Sequence, residues 1–424
     1  MNQADTAWML ISTALVLLMT PALAFFYGGL VRSKNALNTM MMSFISLGFV
    51  GVLWALVGYT LAFSTGNDWI GDLSNAFLNG VGLEAKGSIP HALFMSYQGT
   101  FAIITAALIS GAIVERMRFS AYLAFISLWA VVIYSPIAHW VWGGGWLSKM
   151  GALDFAGGTV VHVNAAAAAL VAAIVVGKRQ QYPSSSLVPH NVPFVLLGSG
   201  LLWFGWFGFN AGSALAASPI AGLAFTTTML APAATLVVWT LLDMMRSSKP
   251  TAVGAATAIV VGLVAVTPAA GYVSPMSALL LGGIAAVPSY FAIILRAKTS
   301  LDDSLDVVAA HGVGGSVGAL LTGVFAERAF NGVADGALFG NPGQLLVQGA
   351  AILAAIVYSG VGSFILLRLI GLVLPLRASG AEESDGLDIT QHGEDAYPAA
   401  GGAESFAPPA SQLEPMFATI RSEA

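Results

Sequence analysis

Residues 154–162 read DFAGGTVVH and residues 303–311 read DSLDVVAAH, so each stretch begins with an aspartate and ends, eight positions later, with a histidine. Each stretch opens a long apolar segment, and a count of such segments places the two in opposite directions across a membrane. One spacing repeated in two segments of opposite direction is typical of an inverted repeat. The two stretches therefore predict two related halves of five helices each.

The composition around these stretches indicates a membrane protein. The chain of 424 residues is 57% hydrophobic and 9% charged, whereas a soluble domain carries about 25% charged residues. So few charges cannot cover a soluble surface, which excludes a soluble globular enzyme. Apolar segments of about 20 residues identify membrane-spanning helices. We predict eleven, at 8–30, 36–63, 93–114, 119–142, 158–177, 192–214, 219–242, 251–271, 277–296, 307–326 and 344–372.

The fold class that follows is an all-α polytopic membrane protein, with eleven transmembrane helices in an inverted five-plus-five repeat plus a final helix. Lys and Arg concentrate in alternate loops, ten against three, which places the N-terminus outside. We expect residues 1–378 to form the transmembrane domain. Residues 379–424 contain many acidic side chains and few aliphatic ones, and we expect a largely disordered cytoplasmic tail.

The two histidines are the main polar groups within the predicted spans. A histidine is costly in lipid, so His162 and His311 should face the interior and meet through the repeat. They either pin two helices by bonding each other, or they form a polar element of a pathway that carries a proton or binds a small polar solute. Asp154 fits a helix cap, and its field would also favour a cation at the outer mouth. Asp303 fits capping and solvation of its helix start.

Three segments near predicted outer ends are rich in aromatic and small residues: 97–101, 140–146 and 203–213. They could form an interfacial aromatic belt. Interleaved glycines favour a pathway instead, because glycine lets backbones approach closely. Aromatic faces bind a bare cation, so walls without carboxylates suit a weakly held monovalent cation.

Other chemistries have no motif in this chain. It lacks a Walker loop, a potassium-channel filter, an HExxH zinc motif and any cysteine for a disulfide or thiolate site. We therefore expect a protein that is not an enzyme, with no catalytic residue, cofactor, metal or nucleic-acid partner.

Several strings together resemble the ammonium transporter family (Amt/Mep/Rh), and its bacterial Amt branch in particular. The resemblance extends from the first span to about Tyr397. The strings are FFYGGL at 25–30, QGTF at 98–101, ERMRFS at 115–120, VWGGG at 141–145, DFAGGTVVH at 154–162, GWFGFNAGS at 205–213 and HGVGG at 311–315.

The resemblance implies a homotrimer with one pore per subunit in the inner (plasma) membrane, and roles for individual residues. Trp142, Phe101 and Ser213 look like an outer ammonium recruitment site. Phe101 and Phe209 look like a stacked phenyl gate. Three further residues look like pore residues: His162, His311 and Trp206. Asp154 looks like a residue that supports the outer site.

The tail strings Gly386-Leu387-Asp388 and 392–397 also fit the family, whereas Thr390 and Gln391 depart from its pattern. This tail implies a regulatory partner of the PII type, such as GlnK. The expected function is transport of ammonium or methylammonium, in which ammonium is recruited, loses a proton and passes the histidines as ammonia. The alternatives are a passive gas channel of the Rh type and an ammonium sensor that signals through a PII-type partner.

Overall fold

The computed structural model describes residues 1–180, 182–183 and 188–397. Eleven long helical segments account for most of these residues. Ten of the segments are long and apolar enough to cross a membrane, and α8, with 15 residues, is shorter. The segments are α1 Gln3–Leu30, α2 Ser33–Phe63, α3 His91–Ala112, α4 119–141, α5 Gly158–Val176, α6 Val192–Gly212, α7 Pro219–Ser247, α8 Ala252–Val266, α9 Pro275–Arg296, α10 Val308–Phe325 and α11 Gly343–Gly371.

The predicted all-α polytopic fold is confirmed, and each of the eleven predicted spans coincides with one helix. The helix at the predicted span 251–271 is shorter than predicted: α8 ends at Val266, and residues 267–271 form turns. Pro268 explains the early end, since proline lacks the N–H that a continuing helix needs.

Short elements connect or interrupt the long helices. A hairpin of two strands, β1 (Ala85–Lys86) and β2 (Ile89–Pro90), leads directly into α3, with Lys86 paired to Ile89. Short helices lie in other connections or within the long helices. They are the 3₁₀ turns Ser33–Asn35, Ala76–Leu78, Ser110–Ala112 and Ala337–Phe339, the α-helices Trp146–Met150 and Arg328–Asn331, and the π-turns Trp54–Gly58 and Ala130–Tyr134.

The two halves begin their histidine-bearing helices in the same way. The Asp154 carboxylate accepts hydrogen bonds from four backbone N–H groups, of residues 157–160, at 2.6–3.0 Å. The Asp303 carboxylate accepts two, from Val307 at 3.1 Å and Val308 at 2.7 Å. Both helices open with a π-turn, Gly158–Val163 in α5 and Val308–Val313 in α10. The aspartates thus satisfy the otherwise unpaired N–H groups of each helix start.

Asp303 departs from the expectation of a solvated cap. It does cap its helix, but its side chain is fully buried. Burial together with the neighbouring Asp306 carboxylate raises the pKa of Asp303 to about 7. The sequence could not show this burial, because Asp303 lies in a loop that neighbouring helices cover.

Close packing between α1 and α6 depends on small residues of α6. A Cβ on Gly198 would lie 2.4 Å from the Phe26 backbone nitrogen, and one on Gly205 would lie 2.4 Å from Met19 Cγ. Either contact is too short for a real methyl group. Glycine at these positions therefore sets the distance between the two backbones, as in other tightly packed membrane helices.

The tail prediction was wrong for residues 379–397, which fold. They form α12 (Gly380–Asp385) and α13 (Leu387–His392). The Asp388 carboxylate accepts hydrogen bonds from the backbone N–H groups of Leu37 at 3.0 Å and Asn38 at 2.8 Å. The tail thus caps the start of α2, which a composition argument could not detect. The rest of the predicted tail, 398–424, lies outside the described residues.

Candidate functional site

An outer cavity of about 300 Å³ contains the three residues predicted for recruitment, Trp142, Phe101 and Ser213. They come from three places: Trp142 follows α4, Phe101 lies in α3 and Ser213 follows α6. The Phe101 and Trp142 rings meet edge to face, with centroids 5.9 Å apart. The lining comprises Phe63, Phe94, Gln98, Phe101, Val141, Trp142, Phe155, Ser213 and Leu215.

Trp142 is held by the start of α5. Its indole Nε1 donates to the Asp154 carbonyl at 2.8 Å. Gly157, with φ +113°, lies against the indole, where a Cβ would be 3.2 Å from a Trp142 ring carbon. The Asp154 carboxylate is committed to the helix cap and is only 5% exposed. Asp154 therefore positions the tryptophan rather than presenting its carboxylate to the cavity.

Ser213 presents a hydroxyl oxygen at the same cavity. Its Oγ donates to the Phe209 carbonyl at 2.8 Å, which leaves the oxygen lone pairs available to accept. Tyr97 Oη lies 3.3 Å from Ser213 Oγ and donates to the carbonyls of Gly208 and Phe209. Tyr97 also packs edge to face against Phe101, at 5.0 Å. Tyr97 thus holds the Ser213 hydroxyl and the Phe101 ring in place.

The rings of Phe101 and Phe209 close the inner end of this cavity. They stack with centroids 4.2 Å apart and planes 26° apart, and each side chain is about 1% exposed. Beyond them the His162 ring lies 6.1 Å from the Phe209 ring and 5.5 Å from the Trp206 ring. The stacked pair thus separates the outer cavity from the histidines.

His162 and His311 meet as the repeat predicted. Their Nδ1 atoms are 3.2 Å apart, and the side chains are 1% and 4% exposed. They line a narrow cavity of about 20 Å³ whose other walls are apolar, apart from the Trp206 indole. The Trp206 N–H is already paired, because its Nε1 donates to Thr267 Oγ1 at 2.9 Å, so the indole offers the cavity mainly its ring. His162 Nε2 has no protein partner and is buried.

A third cavity, of about 210 Å³, lies on the other side of the histidines. It shares Phe26, Val260 and His311 with the narrow cavity. Arg296 and Asp306 line it and form an ion pair at 2.7 Å. The three cavities therefore follow one another, from the aromatic mouth through the histidine constriction to a charged inner mouth.

Comparisons with known proteins agree with this geometry. The profile of the Ammonium Transporter Family matches residues 7–397. This chain belongs to the ammonium transporter family. The ammonium transporter of Bacillus subtilis is 48% identical over 402 residues, which cover 94% of this chain and 99% of that protein.

Solved structures of the family share the fold. The crystal structure of Saccharomyces cerevisiae Mep2 has a TM-score of 0.84 and 36% identity, and the match covers 89% of this chain and 91% of that one. A structure described as a sensor Amt protein has a TM-score of 0.86 and 31% identity, over 92% of this chain and 98% of that one.

In this member of the ammonium transporter family, every predicted site residue lies along the three cavities or supports them. The positioning role of Tyr97 and the contribution of Thr267 could not be predicted from the sequence, because contacts between distant helices determine them. The Arg296–Asp306 ion pair was not predicted either. The three aspartates within residues 302–306 were a signal for this ion pair, because several acidic residues beside a span suggest a cationic partner.

Proposed function

We propose that this protein moves ammonium across the cytoplasmic membrane by binding the ion at the outer cavity and passing neutral ammonia through the histidine constriction. The observation that carries this proposal is the order of the cavities. An aromatic site suited to a cation is separated, by two stacked rings, from a narrow, mostly apolar passage that no charged side chain lines among the described residues.

Recruitment at the outer cavity uses ring faces and one hydroxyl. A desolvated cation gains about 2 kcal/mol from an aromatic face. Trp142 and Phe101 offer such surfaces, and Ser213 offers an oxygen acceptor to an ammonium N–H. No carboxylate lines this cavity in the part of the chain that the structure describes, so the ion is held weakly enough to be released.

Passage beyond the rings favours the neutral species. An unpaired charge in a dry interior costs several kcal/mol, and the narrow cavity offers it no carboxylate among the described residues. Transfer of one ammonium proton to water in the outer cavity, near Phe101 and Phe209, leaves neutral ammonia and removes that cost. Potassium has no proton to lose and is rejected at this step. Ammonia takes up a proton again on the inner side.

The histidine pair suits ammonia because of its shared hydrogen bond. With Nδ1 atoms 3.2 Å apart, one neutral imidazole donates and the other accepts. The donating ring then has an Nε2 that accepts, and the other ring has an Nε2–H that donates. Ammonia is both a donor and an acceptor, so it can use either ring, and a proton can move along the pair.

The test is methylammonium uptake by proteoliposomes that contain wild-type protein or the His162→Ala or His162→Asp variant. We expect both substitutions to lower selective uptake strongly, by roughly 100-fold for His162→Ala. Unchanged selective uptake in the variants would remove the histidines from the mechanism.

Currents recorded from proteoliposomes on a solid-supported membrane separate the alternatives. An ammonium-dependent current supports transport that moves one positive charge, either as ammonium or as ammonia together with a proton. Absence of current with uptake intact would favour a passive gas channel of the Rh type. Absence of both, with a PII-type protein still bound, would favour a sensor, which the similarity to transporters does not support.

Assembly and regulation belong to the same proposal. Large apolar side chains are exposed along α1, α2, α7, α9 and α11, which suits lipid and a homotrimer. The folded tail at the predicted cytoplasmic face, with α12 and α13, offers a surface for a PII-type protein such as GlnK. Light scattering of the purified protein and pull-down with a PII-type protein test these two points.

A further inference from the structure

Lys86 carries a cation into the wall of the outer cavity. The lysine lies on strand β1, in the tight hairpin that leads into α3, with Lys86 paired to Ile89. Its Nζ lies 4.9 Å from the centre of the Phe94 ring and 5.4 Å from that of Tyr59. Phe94 is also a lining residue of the outer cavity.

The surroundings of this ammonium group form a complete site for a monovalent cation. Nζ donates to Tyr59 Oη at 3.0 Å and to the Phe63 carbonyl at 3.4 Å. The Tyr59 and Phe94 side chains are 0% and 7% exposed. One ring, that of Phe94, and two oxygens, the Tyr59 hydroxyl and the Phe63 carbonyl, surround the ammonium group, and such groups bind an ammonium ion without a carboxylate. In the described part of the chain, Lys86 has no ion-pair partner.

The lysine is partly desolvated at this position. Burial lowers its pKa below the ordinary value for lysine. The side chain is tethered beside the rings, so its effective concentration at the site far exceeds that of an external ion. A free ion can occupy the site only if the lysine leaves it.

We propose that the Tyr59 hydroxyl, the Phe94 ring and the Phe63 carbonyl form a second monovalent-cation site beside the outer cavity, which Lys86 fills and thereby keeps closed to ammonium. Phe63 and Phe94 belong to both places. The lysine charge also opposes entry of external cations into the adjacent outer cavity, and so raises the concentration needed to occupy the site at Trp142. This effect on recruitment rests on the proposed function, whereas the existence of the site does not.

A crystal structure of the Lys86→Met variant in rubidium chloride tests the site itself. Rubidium is a monovalent ion of similar size to ammonium, and its anomalous signal locates it. We expect a rubidium peak between the Tyr59 hydroxyl and the Phe94 ring in Lys86→Met and none there in the wild type. A Lys86→Met, Phe94→Leu double variant should lose the peak. An empty pocket in Lys86→Met would overturn the proposal.

Methylammonium uptake tests the effect on recruitment. Removing the charge in Lys86→Met or Lys86→Gln should lower the apparent KM on the order of threefold, because the repulsion acts over a short, partly screened distance. Lys86→Arg keeps the charge and should keep the wild-type KM. An unchanged or raised KM in both neutral variants would refute this role. If the wild-type protein shows no uptake, the proposed function fails, while the rubidium result still decides the site.

Discussion

The outer cavity and the histidine constriction are both lined by rings, yet they suit different species. In the outer cavity, Trp142 and Phe101 present ring surfaces beside a hydroxyl oxygen in a space of about 300 Å³. In the constriction, His162 and His311 bond each other in about 20 Å³ of otherwise apolar space. In the proposed mechanism this difference divides the pathway by charge: a cation is favoured before the stacked phenylalanines and a neutral molecule after them.

Asp154 joins the two regions, and its replacement should have the largest effect. Asp154→Ala leaves four buried N–H groups without a partner, at about 1–3 kcal/mol each. Both Trp142 and the π-turn that carries His162 should then lose their positions. We expect methylammonium uptake to fall more than about 100-fold and the melting temperature of the purified protein to drop.

The matched control is Asp72→Ala, in which an exposed carboxylate that caps only Ser74 is removed. This variant should behave as the wild type. Near-normal uptake by Asp154→Ala would show that the two regions do not depend on a common support.

Replacing a histidine should break the constriction and leave the outer cavity intact. His162→Ala removes the hydrogen bond of the pair and the ring that ammonia passes in the proposed mechanism. The two hydrogen bonds lost are the one within the pair and the one that His162 makes to ammonia in the proposed mechanism. At about 1.5 kcal/mol each, they correspond to roughly a 100-fold fall in maximal uptake. Methylammonium binding, followed by tryptophan fluorescence, should stay the same, and His190→Gln, outside the three cavities, is the control. A parallel loss of binding would mean that the two regions are not separate.

Replacing the tryptophan should do the opposite. Trp142→Leu removes a ring face worth about 2 kcal/mol to a desolvated cation, so KM should rise roughly 30-fold. Maximal uptake should change less than about twofold, because the constriction is untouched. The control is Trp69→Leu, at an exposed outer tryptophan that does not line the cavity. A fall in maximal uptake with KM unchanged would contradict a recruitment role.

The smallest effect is expected from Ser213→Ala. One hydroxyl acceptor contributes about 1 kcal/mol, so KM should rise about three- to fivefold. Ser96→Ala, at an exposed hydroxyl that bonds only the Ala92 carbonyl, should leave KM unchanged. If the two variants behave alike in uptake assays, Ser213 contributes nothing to ion binding.

The sequence alone was sufficient for the features that follow from local pattern. The run of apolar residues fixes the spans, and the spacing of Asp154 to His162 and of Asp303 to His311 indicated both helix starts. Features that depend on contacts between distant segments could not be predicted. Tyr97 bonds to the end of α6, more than 100 residues away, and Lys86 reaches the Tyr59 hydroxyl of α2 and the Phe94 ring of α3.

The tail shows the same limit. Its acidic composition predicted disorder, but the Asp388 carboxylate accepts hydrogen bonds from backbone N–H groups at the start of α2. A negative charge near a helix N-terminus is stabilising. Only the folded chain brings residue 388 to that position.

The central claim, that a cation binds outside and a neutral molecule passes within, is tested most directly by comparing two substrates in one proteoliposome preparation. Radioactive rubidium has no proton to lose, whereas radiolabelled methylammonium has. We expect rubidium to compete at the outer cavity without being taken up, whereas methylammonium is taken up. Rubidium uptake within about tenfold of the methylammonium rate would show that the constriction conducts an intact ion, and would contradict the account.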